Sequence, residues 1–259
     1  ASPAQMVGRT CAVVPGGGRL LHRAAVGGAR WQRQSGVIFM LHRVLADPGA
    51  AYDPEMAVST AAFAEFAAWV RERFTPVPLP ELVDQLGRPA GRHGPPLCAL
   101  TFDDGWVDTY TQAFAVLQRY QLPATVYLPL RFIGTGRRFW QEVLWEQVAW
   151  LQAQRDGAAR LQAAAARFVW CPPLEAAELS FARLRARLVR RSSSEAEEFV
   201  AALAEAGARP AGGRSFMNWE EVRTMQAAGI AFGSHTLDHT LLRCAAPAEA
   251  ERQLRQSRQ

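Results

Sequence analysis

The stretch Pro95–Asp108, "PPLCALTFDDGWVD", decides how the rest of the chain is read. Its first part, Pro95–Phe102, is a short apolar run of the kind that forms a buried strand. The run ends on two adjacent carboxylates, Asp103 and Asp104, followed by Gly105. Adjacent like charges repel, and a buried ion without a partner is costly. Gly105 lets the chain turn sharply after the strand. Asp-Asp-Gly also occurs in ordinary surface turns, so the pair alone does not decide its role.

Working outward, strand and helix signals alternate. Gly36–Leu41, "GVIFML", is a buried strand, and Ser59–Phe74 repeats its apolar residues at helical spacing with Ser59 or Thr60 as cap. Pro76–Leu86 is a short extended piece, then a helix opening at Pro80. A helix over Thr109–Gln121 and a third strand over Pro123–Leu130 follow. That order predicts an α/β fold with a parallel sheet and crossover helices. From Phe139 to about Pro210 no strand signal occurs, and residues 139–215 are read as a helical insertion. Asn218 and Glu221 have the spacing of a capping box, and Gly229 is a natural helix stop. Ile230–Gly233 is a fourth strand, and "SHTLDH" follows at once. Residues 1–35 are read as an arm, partly helical or disordered.

Composition sets the frame. With 259 residues, 49% hydrophobic and 20% charged, the chain has the make-up of a globular protein of one large or two small domains. No apolar run reaches the roughly 18 residues a membrane span needs. The opening residues lack the apolar core of a signal peptide, and position 1 is not Met. The compartment stays open between a bacterial cytoplasm and a cell envelope. All 29 basic residues are Arg, which excludes Schiff-base chemistry and a phosphate-loop Lys. The net charge of +5 is spread along the chain, so a solvated surface is expected and no nucleic-acid partner. Cys11, Cys98, Cys171 and Cys244 lie far apart and read as small buried residues. Trp140, Trp145 and Trp150 sit at helical spacing with Leu and Val and read as core.

The second motif answers the first. His235 and His239 are four apart, so a helical turn would place both imidazoles on one side. That spacing occurs in zinc sites, and two His need a further ligand, commonly a carboxylate. If Asp104 binds a cation, the repulsion with Asp103 is offset and Asp103 is left free beside a metal-bound water. Such a water is a nucleophile near neutral pH, and Asp103 is then the general base. Both motifs directly follow strands, where parallel α/β folds place their chemistry.

"LTFDDGWVDTY" and "GSHTLDHTLL" resemble the first and second signatures of the polysaccharide deacetylase family, the carbohydrate esterases with a NodB-type domain. "IFMLHRV" resembles the strand that often opens that domain, and "LPATVYL" and "MNWEEVRTMQAAGIAFGSH" fit the pattern between. The resemblance runs from about Gly36 to Arg258. It implies a partial, deformed (β/α) barrel over 36–259. It makes Asp103 the catalytic base, and Asp104, His235 and His239 the ligands of one divalent ion. Zn²⁺ suits that donor set best, with Co²⁺, Ni²⁺ or Fe²⁺ as alternatives. The reaction implied is hydrolysis of N-acetyl, or less often O-acetyl, groups on a polysaccharide or oligosaccharide. Two departures stand out. Thr240 occupies the place where the family often has Pro after the second His, and the family's later signatures do not follow within the sequence, which gives the expectation of a truncated domain. A catalytically inactive metal- or carbohydrate-binding relative is the main alternative, and a barrel metallohydrolase acting on non-sugar amides is another.

Four further side chains carry readings. His42 ends the first strand and is read as a core-edge histidine bonded to backbone, with substrate contact as the second reading. Asp108 is expected to brace the turn or cap the next helix. Asp238 is expected to face solvent, with support of a metal-bound His as the lesser reading. His22 and His93 are assigned nothing.

Overall fold

The protein is described here from a computed structural model covering residues 11–13, 36–86, 95–171, 180–209 and 212–258. It divides into two compact units, 1–135 with 216–237, and 136–215 with 238–259.

The first unit is built on a parallel sheet. Its strands are β1 (Cys11–Val13), β2 (Gly36–Leu41), β5 (Thr75–Pro76), β6 (Leu97–Phe102), β7 (Ala124–Leu128) and β8 (Ala231–Ser234). They run in the order β1-β2-β6-β7-β8, with β5 beside the start of β6. Two more short strands, β3 (Arg43–Leu45) and β4 (Ala57–Ser59), pair with each other in parallel. All four strands expected from apolar runs are present. Five of the six residues of β6 are buried, as befits a central strand covered on both faces. In the 1–35 arm the described residues are Cys11–Val13, and they form a strand, an element its reading did not include. The rest of the arm and His93 lie outside the described residues.

Helix α1 (Thr60–Arg73) is capped by Ser59, whose hydroxyl accepts from the Ala62 N–H at 3.1 Å. It buries Phe63, Phe66, Ala67 and Val70. Phe39 of β2 meets Phe66 and Phe74 edge-on, and Phe63 meets Phe102 of β6. Helix α2 (Leu79–Leu86) opens one residue before Pro80, which needs no N–H there. After β6 the expected helix over Thr109–Gln121 is π-helical at Thr109–Ala113 before α3 (Phe114–Arg119). Four helices of the second unit fall within the expected insertion: α4 (Trp140–Gln152), α5 (Gly157–Ala165), α6 (Phe181–Leu188) and α7 (Ser193–Glu205). They share a core that includes Leu144, Leu151, Leu161, Leu184, Phe199 and Leu203, with Trp140 and Trp150 packed against it. In the first unit, α8 (Trp219–Ala227) carries the expected capping box: Asn218 accepts from the Glu221 N–H, and Glu221 accepts from the Asn218 N–H, both at 2.8 Å. Gly229 ends it at φ +90°. Helix α9 (Pro247–Gln256) belongs to the second unit.

Cys98 and Cys171 are buried free thiols, and burial pushes the Cys98 thiol up to about 12, so it is inert as a nucleophile. No helix among the described residues is long and apolar enough to cross a membrane.

Candidate metal centre and active site

The ends of β2, β6, β7 and β8 assemble most of the expected site within the first unit. Past the end of β6, the Asp103 N–H still donates to the Leu41 carbonyl at 2.9 Å, continuing the pairing with β2. Then Asp104 and Gly105 both take left-handed backbone conformations, φ +74° and +63°. Two such residues in succession swing the chain off the strand. Asp tolerates this region better than most residues but still stores strain there. The positive φ at Gly105 favours glycine, and a Cβ there would begin 2.6 Å from the Leu128 Cδ2, so that methyl would have to shift. The Met217 N–H donates to the Gly105 carbonyl at 3.0 Å and fixes the turn.

The two carboxylates therefore occupy different surroundings. Asp104 is 1% exposed, whereas the Asp103 side chain is 15% exposed and reachable from solvent. The indole N–H of Trp106 donates to Asp104 Oδ2 at 3.0 Å, and His235 Nε2 stands 3.3 Å from Oδ1. Nε2 can face Oδ1 in two ways: carrying its proton and donating it to the carboxylate, or with its lone pair shared with Oδ1 on a cation. Bonds of about 2.0–2.1 Å at a tetrahedral angle put two donor atoms about 3.3 Å apart, so the observed spacing fits a zinc-sized ion. Without an ion, burial drives the His235 pKa down. The hydrogen bond and charge of Asp104, with the charge of Asp103, outweigh it and raise the value overall.

His235 follows β8, and its N–H donates to the Leu128 carbonyl at 2.9 Å. The expected helical turn from His235 to His239 does not form. Thr236 and His239 have φ +65° and +56°, which an α-helix cannot contain, and Thr236 and Leu237 accept from the Leu130 and Arg131 N–H groups instead. His239 belongs to the second unit, where its ring stacks on Phe139 at 4.3 Å and 14°. Asp238 is not solvent-facing. Its Oδ2 accepts from Arg252 at 2.9 Å and Gln253 at 2.8 Å, and its N–H donates to Gln253 Oε1. The peptide leading into His239 is thereby anchored to α9.

His42 Nε2 lies 3.9 Å from Asp103 Oδ2, close enough for charge but too long for a direct hydrogen bond. Asp108 neither braces the turn nor caps the helix with its side chain. Its Oδ2 accepts from Arg43 Nε and Nη2 at 3.0 and 2.8 Å, and its Oδ1 accepts from the Val44 N–H at 2.8 Å. Burial pushes the Asp108 carboxyl upward, against the pull of Arg43 and of the Val44 N–H. The sequence reading missed three residues. Trp106 is fully buried, and the Arg43 guanidinium lies 4.2 Å from its ring centroid. Tyr127 of β7 has its ring 6.5 Å from that of His235. Burial raises its phenol pKa, and the charge of Asp103 raises it further. A usable signal was present for Trp106: a tryptophan directly after a buried acidic turn needs a hydrogen-bond acceptor.

The polysaccharide deacetylase family model matches residues 90–158 and 193–259, which include Asp103, Asp104, His235 and His239. The poly-β-1,6-N-acetyl-D-glucosamine N-deacetylase of Escherichia coli K12 is 37% identical over 105 residues, which are 39% of this chain and 14% of that protein. Among solved structures, the Streptococcus pyogenes deacetylase PplD in complex with acetate aligns over 85% of this chain and 64% of its own, at 15% identity and a TM-score of 0.48. IcaB from Ammonifex degensii aligns over 78% of this chain and 53% of its own, at 19% identity and a TM-score of 0.42. The chain thus spans about a seventh of the length of the curated relative it matches. The family model covers more than half of this sequence, and the chain belongs to the polysaccharide deacetylase family.

Proposed function

We propose that this protein hydrolyses acetyl groups from an N-acetylated carbohydrate polymer, with Asp103 as general base. Asp104, His235 and His239 would hold one divalent cation, Zn²⁺ by the balance of one carboxylate oxygen and two imidazole nitrogens. The observation that carries the reading is the contrast between the two aspartates: Asp104 buried with its Oδ1 3.3 Å from His235, Asp103 partly exposed beside it. The named activity of the Escherichia coli relative makes a β-1,6-linked N-acetylglucosamine polymer the first substrate to try.

When bound, the cation would supply Lewis-acid polarisation of a carbonyl and acidify water. The chain's own residues do the rest. Hydrolysis adds water across the amide: a C–O bond forms at the acetyl carbon, the C–N bond breaks, and acetate and a free amine leave. Asp103 accepts the proton that water gives up and can return one to the departing nitrogen. His42, 3.9 Å from Asp103, would contact the substrate on that side of the site.

The test uses acetate release from poly-N-acetylglucosamine together with metal analysis. Asp104→Ala should lose both metal and turnover. Asp103→Asn should keep the metal and lose about 10²–10⁴ in rate, the usual worth of a general base. Full turnover in Asp103→Asn would sink the assignment of the base. Sugar binding without acetate release by the wild type would favour the inactive relative.

A further inference from the structure

The first unit contains a line of buried and part-buried groups that starts on β3 and ends on Asp104. Arg43 of β3 grips Asp108 through Nε and Nη2, and Asp108 also holds the Val44 N–H. That grip fixes the guanidinium 4.2 Å from the centroid of the Trp106 ring. The ring is wholly buried and also stacks on Phe216 at 4.9 Å and 21°. Its N–H points to Asp104 Oδ2 at 3.0 Å.

We propose that Trp106, with Arg43 seated on its ring, is a positioning residue for Asp104: its indole N–H holds Oδ2 so that Oδ1 stays opposite His235 to receive a divalent cation. The proposal rests on the reading of Asp104 as a cation ligand. The two oxygens of a carboxylate are chemically equivalent, and rotation about the side chain exchanges them. A donor on one oxygen breaks that symmetry and selects which one faces the imidazole. The donor matters more here because Asp104 is held in a left-handed backbone conformation, which persists only when its surroundings over-determine it. A cation over the face of an indole draws on its electron density and leaves the N–H a better donor. Such supporting partners typically account for 10–100-fold in metal affinity.

A merely structural Trp106 would fill space and nothing more. Trp106→Phe separates the two roles, since it keeps an aromatic ring and removes the N–H. Zinc affinity is measured by competition with a chromophoric chelator, and the Co²⁺-loaded forms are compared by visible absorption. Expected for Trp106→Phe are zinc binding weaker by about 10–100-fold and an altered Co²⁺ spectrum. Wild-type affinity with an unchanged Co²⁺ spectrum overturns the inference and leaves the cation reading intact. A wild type that binds no zinc overturns both. A second measurement needs no variant: among the eight tryptophan indole N–H resonances of the ¹⁵N-labelled wild type, one should shift on zinc addition and broaden most with Co²⁺. If none responds, Trp106 does not touch the ligand shell and the inference fails.

Discussion

Asp103 and Asp104 are adjacent in sequence and opposite in environment, and the left-handed turn at Asp104 and Gly105 is what separates them. Two consequences are measurable at this scale. In the metal-free protein the His235 pKa lies above its ordinary value near 6.5, because Asp104 and Asp103 stabilise the imidazolium more than burial penalises it. A raised folded-state pKa means the proton adds stability that is fully present below the unfolded value. That stability is lost as pH rises through the folded value. Metal binding must displace the same proton, so zinc affinity should climb with pH across that window. An NMR titration of the His235 ring in the metal-free protein should give a midpoint above 6.5, and Asp104→Asn should lower it. A wild-type midpoint at or below the ordinary value would contradict the geometry. Gly105→Ala is expected to destabilise by more than about 1 kcal/mol in urea unfolding, since alanine strains at positive φ and its Cβ crowds Leu128. Wild-type stability in that variant would mean the turn relaxes freely. Asp103, Asp104 and His235, which the structure brings to neighbouring strand ends, stood out in the sequence because their motifs are local. Arg43 did not, because its pairing with Asp108 joins positions 65 apart, whereas Trp106 left a local signal two residues from the Asp104 it bonds.

The elements divide in the same way. β2, β6, β7 and β8 were readable because each is a compact apolar run with turn signals at its edges. β3, β4 and β5 are two or three residues long, too short for any periodicity to show. Helix α6 places Arg at 183, 185 and 187 around Leu184 and Leu188, so its narrow buried stripe is masked by charge. The H-x3-H spacing misled for a physical reason. Its helical reading assumes right-handed backbone throughout, and hydrogen bonds from Leu130 and Arg131 to Thr236 and Leu237 impose a different path. The capping box of α8 was legible because both of its bonds are local. It leads into the β8 strand that delivers His235, so its loss should be felt at the site. Asn218→Ala is expected to cost about 0.5–2 kcal/mol in thermal or urea unfolding. Asn218→Asp should recover most of it, since a carboxylate accepts from the Glu221 N–H as well. Equal losses in both variants would show that the cap is not what Asn218 supplies.

At the scale of the molecule, the family resemblance led to one domain with an insertion, and the structure shows two units, each with a buried core of its own. The sequence could not show this division, because the second unit is built from two separated segments, 136–215 and 238–259. Helical periodicity reveals which face of each helix is apolar but not which helices share a core. The second unit's core is closed by side chains from within 144–208, including Phe199 and Leu203, buried to 1% and 0% exposure. The sheet that carries Asp103, Asp104 and His235 draws its buried residues from elsewhere, among them Phe39, Leu100, Phe102 and Val126. Truncating a fully buried leucine typically costs about 2–5 kcal/mol, through lost transfer energy and the cavity left behind. If each core stabilises its own unit, Leu203→Ala should weaken the second unit selectively. Amide hydrogen exchange reads this directly, because local opening exposes amides in contiguous cooperative blocks. The amides of α4, α5 and α7 should exchange faster by a factor matching the lost stability. Those of β2, β6 and β7 should keep their protection, as should the indole N–H of Trp106. The converse variant, Leu100→Ala on β6, should strip protection from the sheet and weaken zinc binding while α4 and α7 stay protected. If either substitution lowered protection equally in both units, the two cores would be one cooperative structure, and the division would be a matter of shape without consequence for stability.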